Sequence, residues 1–392
     1  MSHSLYLFNP DHDLALANGD ENFNAPLSAK QFAKDLACLP MWYAAAGDIV
    51  FGTMPYNDWM TELKSLFPRL ASLTVTSKPD LSQVFTIRPW GWNAAVSKSL
   101  LVQGLSPELM PSTEQMAHFR SLSHRETAIR AMNFLQTIPS LKTSIPPPAQ
   151  LISSEKVKAF IDRYPKAIFK APWSGSGKGL CWANGTATEN IVGWCRNIVE
   201  KQGAVVAEEA YDKLQDFAME FLCENGKVAF VGYSLFSTER GVYRSNELMS
   251  DQAIENQLIQ KQISLELLRE VQRELCRFLT SEIAPVYSGY LGVDMFIYQQ
   301  NDCYLLHPCV EINLRMTMGM VARIFYDRFV SAAHSGKFYI DYFPSVGALF
   351  TDHEQRITNQ PLRIEEGRIN HGYMSLSPIG KNSHYRARVE IE

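Results

Sequence analysis

The residues with the clearest chemical meaning are Glu311, Asn313 and Arg315, which alternate along the chain with Ile312 and Leu314. Successive side chains of a β-strand point to opposite faces of its sheet. In a strand, the three polar groups would share one face and the two apolar side chains would enter a core. The spacing therefore predicts a row of two oxygen ligands and a guanidinium on one side of a sheet.

A further carboxylate, Asp294, lies in the strand-like run of residues 289–298 that precedes this row. Two carboxylates and an amide oxygen form the hard-oxygen ligand set that suits Mg²⁺ held against phosphates. A neighbouring guanidinium can bind a phosphoryl oxygen through two hydrogen bonds. The pattern predicts a magnesium–phosphate site with Asp294, Glu311 and Asn313 as metal ligands.

A glycine-rich run at residues 174–179, Ser-Gly-Ser-Gly-Lys-Gly, predicts a second phosphate contact. It is not a Walker A loop, which needs glycine where Pro172 stands and serine or threonine where Gly179 stands. Its glycine spacing also differs from that of the dinucleotide fingerprint. Backbone N–H groups beside glycine can approach phosphate oxygens, and lysines add positive charge; the alternative is a flexible surface turn. The phosphate-binding candidates are Lys170, Ser174, Gly175, Ser176, Gly177 and Lys178.

Between the loop and the acidic strands lies an apolar strand, residues 205–211, that contains Glu208 and Glu209. The end of such a strand can present backbone groups and a carboxylate to the edge of an adenine. Asp216, further along, could accept hydrogen bonds from ribose hydroxyls. The alternative for the paired glutamates is a solvated loop.

The composition indicates which class of protein would position these groups. The chain has 392 residues, 46% hydrophobic and 20% charged, which predicts a globular protein of two to three domains. The net charge of -4 gives no general attraction to nucleic acid or anionic lipid, so neither partner is expected. Seven scattered cysteines without a Cys-x-x-Cys pair favour reduced thiols. No apolar run has the length of a signal peptide or a membrane span, and a cytoplasmic enzyme is expected.

Strand-like and helix-like runs alternate from the start of the chain, at residues 4–8, 29–36 and 48–51, which predicts an α/β beginning. A helix is predicted from Ser123, as N-cap with Glu126 as its capping-box partner, to about Leu135. From about Phe338 the chain is richer in turn residues and short alternating runs.

In this order the motifs resemble those of the ATP-grasp superfamily, which includes carboxylate–amine ligases such as D-alanine–D-alanine ligase and biotin carboxylase. The resemblance covers about residues 120–330. It implies an α/β (α+β) protein with a Rossmann-like N-terminal α/β domain at 1–120, followed by two α+β subdomains that clasp ATP. These are a small lid subdomain at 121–210 and a C-terminal ATP-grasp subdomain at 211–335; residues 336–392 form an extension packed on the core.

The resemblance also implies roles for single residues. Lys170 and the glycine loop hold the phosphates, and Glu208 or Glu209 faces the adenine amino group on the strand that ends at Tyr211. Asp216 contacts the ribose. Arg125 stands where the family often has a lysine, and Asp294 where it often has glutamate. The implied cofactors are ATP and Mg²⁺, with Mn²⁺ as an alternative; the implied metal ligands are Asp294, Glu311 and Asn313, and the implied catalytic residues are Arg315 and Lys170.

The implied reaction is phosphorylation of a substrate carboxylate by ATP, followed by attack of an amine or similar nucleophile on the acyl phosphate. The substrate would be a small molecule or short peptide bound beside the first domain. Its candidate contacts are residues 9–13, residues 90–93, Arg240 and Arg244. A nucleotide-binding module without ligase activity, and a small-molecule kinase with the same site, are the alternatives. The substrates, the oligomeric state and the role of the C-terminal extension stay open.

Overall fold

The computed structural model describes residues 3–52, 57–175, 179–239 and 242–392. Four of the predicted site residues, Ser176, Gly177, Lys178 and Arg240, lie outside these ranges. The described chain contains three β-sheets, one following the other along the sequence.

The first sheet has four strands, β1 (His3–Leu7), β2 (Ile49–Phe51), β3 (Thr74–Thr76) and β4 (Val84–Pro89). All its pairs are parallel, in the order β3-β2-β1-β4. Parallel neighbours need crossover connections, and helices supply them here. The strand order reverses beside β1, so the carboxyl ends of β1 and β4 flank a topological switch point, where open α/β sheets bind ligands.

The second sheet is antiparallel, in the order β5-β8-β6-β7. Its strands are β5 (Gln150–Ile152), β6 (Lys166–Lys170), β7 (Leu180–Asn184) and β8 (Val205–Glu209). One face packs on the helices of residues 157–163 and 189–202 through a small apolar cluster. The other face is left to contact the third sheet.

The third sheet has nine strands, in the order β13-β12-β9-β10-β11-β14-β17-β16-β15. They are β9 (Asp212–Glu224), β10 (Lys227–Glu239), β11 (Val242–Leu248), β12 (Gly289–Gln300), β13 (Cys303–Asn313), β14 (Gly336–Tyr342), β15 (Arg363–Glu365), β16 (Arg368–Ser375) and β17 (Tyr385–Ile391). The strands after residue 335 thus continue the sheet that carries the acidic strands. The domain borders at 120, 210 and 335 stay a prediction.

The described helices connect and cover these sheets. They are α1 (His12–Asn18), α2 (Leu27–Asp35), α3 (Asn57–Leu66), α4 (Ala94–Val102), α5 (Thr113–Leu122), α6 (Glu126–Gln136), α7 (Val157–Arg163), α8 (Glu189–Gln202), α9 (Asp251–Gln260), α10 (Leu265–Glu282), α11 (Met318–Phe329) and α12 (Ala348–Asn359). None of them is long and apolar enough to cross a membrane.

The third sheet has an apolar core on each face, and strand alternation decides which side chain enters which. Along β9, Phe217, Met219 and Phe221 enter the core formed with α6 and α10. Ala218 and Glu220 point to the opposite face, toward α11 and the first sheet. The same alternation places Ile312 and Leu314 in the core formed with α6 and α10, as predicted.

Register between β12 and β13 brings the predicted metal ligands together. Asp294 lies directly opposite Glu311, and Gly292 lies opposite Asn313. A glycine at 292 leaves room beside Glu220, whose carboxylate would lie only 2.8 Å from a Cβ atom there. The predicted polar face is therefore continuous across two strands.

The predicted capping box at Ser123 and Glu126 is wrong. Ser123 ends α5 instead, and its hydroxyl donates to the Phe119 carbonyl at 2.8 Å. Helix α6 begins only at Glu126, with Arg125 as its N-cap and no side-chain cap. The chain turns between the two helices, and this turn brings the Arg125 side chain to the face of β13.

Candidate active site

A cleft of about 590 Å³ separates the second sheet from the third. Its volume is in the range of small-molecule sites. Residues from β6, β7 and β8 line one wall, and residues from β9, β10, β12 and β13 line the other. The predicted nucleotide and metal residues along it are Arg125, Lys170, Glu208, Glu209, Tyr211, Asp216, Asp294 and Glu311.

Lys170, Glu208 and His307 form a buried ionic cluster in this cleft. Lys170 pairs with one Glu208 oxygen, and His307 Nε2 lies 2.7 Å from the other. Burial alone would raise the pKa of Glu208, but the charge of Lys170 and the contact with His307 outweigh it and hold this pKa well below its usual range. Glu208 is therefore an anion, and each of its two carboxylate oxygens has a partner. The structure adds His307, whose contact with Glu208 was not predicted.

Arg125 is 8% exposed and holds Glu311 with two hydrogen bonds, of 2.9 Å and 3.4 Å. The structure thus joins the predicted substitute for the family lysine directly to a predicted metal ligand. The Nε atom of Arg125 is buried and has no hydrogen-bond partner among the described residues. Nε is therefore one of the Arg125 donors that have no partner in the described part of the chain.

The carboxylates of Asp294 and Glu311 repel each other where they meet. Burial, and next the charge of Glu311, raise the pKa of Asp294 to about 7, against the lowering effect of Arg315 and a hydrogen bond from Asn313. A divalent cation would relieve this repulsion, so the donor set fits Mg²⁺. No group of three or more His, Cys, Asp or Glu in the described ranges is arranged as a metal site, and the third ligand of the predicted set is an amide.

Arg315 is held by four hydrogen bonds at the inner end of the cleft. Nε and Nη2 donate to the two carboxylate oxygens of Asp13, both at 2.9 Å. Nη2 also donates to Asn313 Oδ1 at 3.0 Å, and Nη1 donates to the Met316 carbonyl at 3.1 Å. Burial alone would raise the pKa of Asp13, but Arg315 outweighs it and keeps this pKa below its usual value.

At the outer end of the cleft, aromatic and apolar side chains line the space predicted for adenine. The Tyr211 ring packs on Tyr298, with centroids 4.4 Å apart. Trp182 on β7 lines the same wall and is 58% exposed. Asp216 accepts a hydrogen bond from Thr238 at 3.1 Å and pairs with Lys213. The sequence interpretation missed Trp182, although an aromatic residue shortly after a glycine loop was a usable signal.

A second cavity, of about 230 Å³, adjoins the inner end of the cleft, because Asp294 and Glu311 line both. Its other wall is built at the switch point of the first sheet. Pro10 and Asp13 come from the loop after β1 and the start of α1, and Trp90 follows β4. Residues 9–13 and residues 90–93, both sequence candidates for substrate contact, therefore contribute to this cavity.

Of the two candidate arginines, Arg240 lies outside the described residues and Arg244 lies away from both cavities. Arg244 is more than half exposed, pairs with Glu239 at 2.6 Å, and does not line either cavity. Gly175 of the glycine loop lines the second cavity, and the hydroxyl of Ser174 beside it is buried without a hydrogen-bond partner in the described residues. A role in binding remains a prediction for each of these residues.

Glu220, which the sequence interpretation missed, forms the floor of the second cavity. Its side chain is 1% exposed and accepts hydrogen bonds from Ser234 at 2.8 Å and Thr317 at 3.0 Å. Burial raises the pKa of Glu220 to about 8, and the charge of Asp294 adds to this effect. A lone carboxylate in the apolar run Phe-Ala-Met-Glu-Phe-Leu was the available signal, since buried titratable groups cluster at functional sites.

The contribution of Glu220 to stability is expected to be lost as pH rises from about 4.5 to about 8, so the wild type should lose stability relative to Glu220→Gln over this range. A carboxyl with a raised folded-state pKa binds its proton more tightly when folded, so deprotonation favours unfolding above the unfolded-state value of 4.5. Asp294 acts in the same direction and the buried His12 in the opposite one, and both are present in both proteins, so the difference between the two curves reports on Glu220. Urea unfolding of both proteins at several pH values measures the slopes. Parallel curves would contradict the assignment.

The sequence matches no protein-family model and no curated protein. Solved structures do match over the whole chain. N5-carboxyaminoimidazole synthetase of Staphylococcus aureus, complexed with ADP, aligns at a TM-score of 0.51 and 11% identity, covering 100% of this chain and 94% of that chain. The ADP complex of an N5-carboxyaminoimidazole ribonucleotide synthetase aligns at 0.50 and 11%, covering 100% and 92%. The biotin carboxylase–β-γ-ATP complex of Campylobacter jejuni aligns at 0.49 and 13%, covering 100% and 88%.

The chain has the ATP-grasp fold. The predicted fold class is thereby confirmed. The second sheet and the neighbouring strands of the third sheet line the two sides of the cleft, which contains the predicted site residues. A sequence identity of 11% supports a shared fold only, so the roles of these residues are proposals.

Proposed function

We propose that this chain is a Mg²⁺-dependent ATP-grasp ligase that activates a carboxylate as an acyl phosphate and joins it to an amine or similar nucleophile. The observation that carries the proposal is the meeting of two cavities at Asp294 and Glu311. One cavity has the volume and aromatic wall for a nucleotide, and the other is bounded by the N-terminal switch point. A phosphoryl group at their junction would face substrate on one side and ADP on the other.

The positions of the positive charges support binding of a triphosphate with its terminal phosphate toward the second cavity. Lys170 and Arg125 lie along the inner half of the cleft, and Arg315 lies at its junction with the second cavity. Each of the three is paired with a carboxylate in this structure, namely Glu208, Glu311 and Asp13 respectively. Phosphate oxygens would compete with Glu208 for Lys170 and with Glu311 for Arg125, whereas Arg315 would keep Asp13. Glu208 would then retain His307 and Glu311 would gain the metal, so neither carboxylate would be left without a partner.

Asp294, Glu311 and Asn313 would hold Mg²⁺ at the phosphate end. When bound, the metal supplies positive charge that offsets the charge developing on the phosphate oxygens. The protein's own contribution is to align the donors and exclude water, because positioning and fixed charges supply most of the acceleration in phosphoryl transfer.

The proposed reaction has two steps. The bond between the γ-phosphorus and the β–γ bridging oxygen of ATP breaks, and a bond forms from that phosphorus to a carboxylate oxygen of the substrate. The nucleophile then attacks the carbonyl carbon, the carbon–oxygen bond to the phosphate breaks, and inorganic phosphate leaves as the amine loses a proton. Carboxylate and amine would both be small enough for a cavity of about 230 Å³ and the space next to it.

A screen of amino acids, short peptides and other small carboxylates for ADP release tests the proposal. With an active carboxylate, added hydroxylamine should trap the acyl phosphate as a hydroxamate. Turnover without hydroxamate would favour the kinase alternative. ATP binding without ADP release for any carboxylate would favour a nucleotide-binding module.

ATP binding itself should change the fluorescence of Trp182. This side chain is 58% exposed in the proposed adenine end of the cleft, so a bound base would cover it and change its environment. Titration with ATP should give a saturable signal in the wild type. Trp182→Phe should lose most of that signal, whereas Trp194→Phe, on α8 at the far side of the second sheet, should keep it. Equal signals from both variants would place the base elsewhere.

A further inference from the structure

We propose that Asp13 is the positioning residue for Arg315, and that through this pair the N-terminal sheet selects for a nucleotide with a terminal phosphate. The inference rests on the proposed function, because it takes Arg315 as the group that meets the phosphoryl being transferred. In this proposal the loop at residues 9–13 contributes to ATP recognition as well as to the wall of the second cavity.

The geometry of the pair is that of a planar two-point clamp. Both Asp13 oxygens accept from Arg315, each at 2.9 Å, through Nε and Nη2. Their side chains are only 23% and 15% exposed. A bidentate, largely buried pair fixes the plane of a guanidinium as well as its location.

The donor count shows what this clamp leaves for a ligand. A guanidinium has five N–H donors. Asp13 takes two of them, Asn313 takes one and the Met316 carbonyl takes one. Among the described partners this leaves one Nη1 donor, on a side chain that lines the second cavity. Asp13 therefore determines where the remaining donor points.

Asp13 is itself held in place by its surroundings. It lies in the first turn of α1, which follows β1 at the switch point of the first sheet. Asn9 donates to the Gly91 carbonyl at 2.8 Å, which ties the loop after β1 to the loop after β4. The buried ring of His12 lies 3.3 Å from Asn93 Nδ2, and Asn93 caps α4. Both loops are thus fixed, and they fix Asp13.

Gly175, at the start of the predicted phosphate loop, also lies against Asp13. A methyl group at Gly175 would overlap the Asp13 carboxylate, so the close approach requires glycine at this position. Asp13 consequently touches a predicted phosphate loop and a predicted phosphate-binding arginine at once. A group in that place can transmit the presence of a terminal phosphate to the N-terminal sheet.

The test measures the binding of MgATP and MgADP to the full chain by calorimetry. Asp13→Asn should weaken MgATP by roughly 10- to 100-fold, the range for one lost hydrogen-bonded charge contact. MgADP, which lacks the terminal phosphoryl group, should bind within about twofold of the wild type. A merely structural loss would weaken both nucleotides alike and would overturn the proposal.

A double-mutant cycle tests whether Asp13 acts through Arg315. In an Arg315→Gln background, Asp13→Asn should change MgATP affinity by no more than about twofold, because the clamped group is already gone. Additive losses would overturn the proposal. Asp58→Asn, an exposed aspartate in the first turn of α3 and outside the Arg315 contacts, is the matched control and should bind like the wild type.

A variant that fails to fold and a wild type that fails to bind nucleotide each have a defined consequence for the proposal. If Asp13→Asn does not fold, Asp13→Glu keeps the charge and displaces the clamp, and it should weaken MgATP more than MgADP; equal changes would overturn the proposal. A wild type that binds neither nucleotide would overturn the proposed function and this inference with it. A wild type that binds both, with variants that fail the cycle, would overturn the inference alone.

Discussion

Replacing Glu311 by glutamine is expected to abolish the strengthening of ATP binding by Mg²⁺, and to lower turnover of any active carboxylate by roughly 100-fold or more. Glu311 lies opposite Asp294 in the strand register and accepts two hydrogen bonds from Arg125. Glutamine preserves the shape and one acceptor oxygen but removes the charge that would hold the metal. Calorimetric titration of ATP with and without Mg²⁺ measures the effect.

The loss must be separated from a folding defect, since Arg125 is buried beside Glu311. Thermal unfolding of the variant reports on the fold. Glu224→Gln, at the exposed far end of β9 in the same sheet, is a matched loss of one carboxylate and should leave the Mg²⁺ effect unchanged. A Glu311→Gln protein that keeps the full Mg²⁺ effect would remove Glu311 from the metal site.

Replacing Lys170 by methionine is expected to have two separable effects. ATP should bind more weakly, because a cation facing the phosphates is lost. The protein should also become less stable by about 3–5 kcal/mol, the usual cost of removing one partner from a buried ion pair. Lys170 and Glu208 are 7% and 5% exposed, so Glu208 would keep its charge with only His307 beside it.

The double variant Lys170→Met with Glu208→Gln separates the two effects. Removing both charges should restore much of the stability, since no buried carboxylate is left without its cation. ATP affinity should stay low, because the phosphate contact is still missing. Urea unfolding and ATP titration of the wild type, both single variants and the double variant complete the comparison. Recovery of ATP affinity in the double variant would mean that Lys170 acts only on stability.

The sequence could predict the acidic face of β12 and β13 because strand alternation is a local rule with a period of two residues. It placed Ile312 and Leu314 in a core, and the structure agrees. The same local reasoning failed at Ser123, where the pattern for a helix start fits the sequence but the hydroxyl instead closes α5. A local pattern cannot show which of two adjacent helices a residue will serve.

The pairings inside the site could not be predicted, because they depend on which sheets stack. Asp13 and Arg315 are 302 positions apart, and Arg125 and Glu311 are 186 apart. His307 contacts Glu208 only because the second sheet closes over the third. Among the described residues, Lys170, Arg125 and Arg315 were predicted to hold phosphate, and in this structure each has a carboxylate partner that the sequence did not indicate.

The continuity of the nine-stranded sheet has a consequence for how the molecule can be divided. Strand β11 pairs with β14, which follows residue 335, on one side and with β10 on the other. Without β14 to β17, the backbone of β11 would form an open edge. The apolar side chains of Phe338, Val389 and Ile391 would also be missing from the core on the face of this sheet that packs on α11. Open edges invite pairing between chains. The segment after residue 335 therefore covers the edge of the sheet on which the proposed ATP cleft is built.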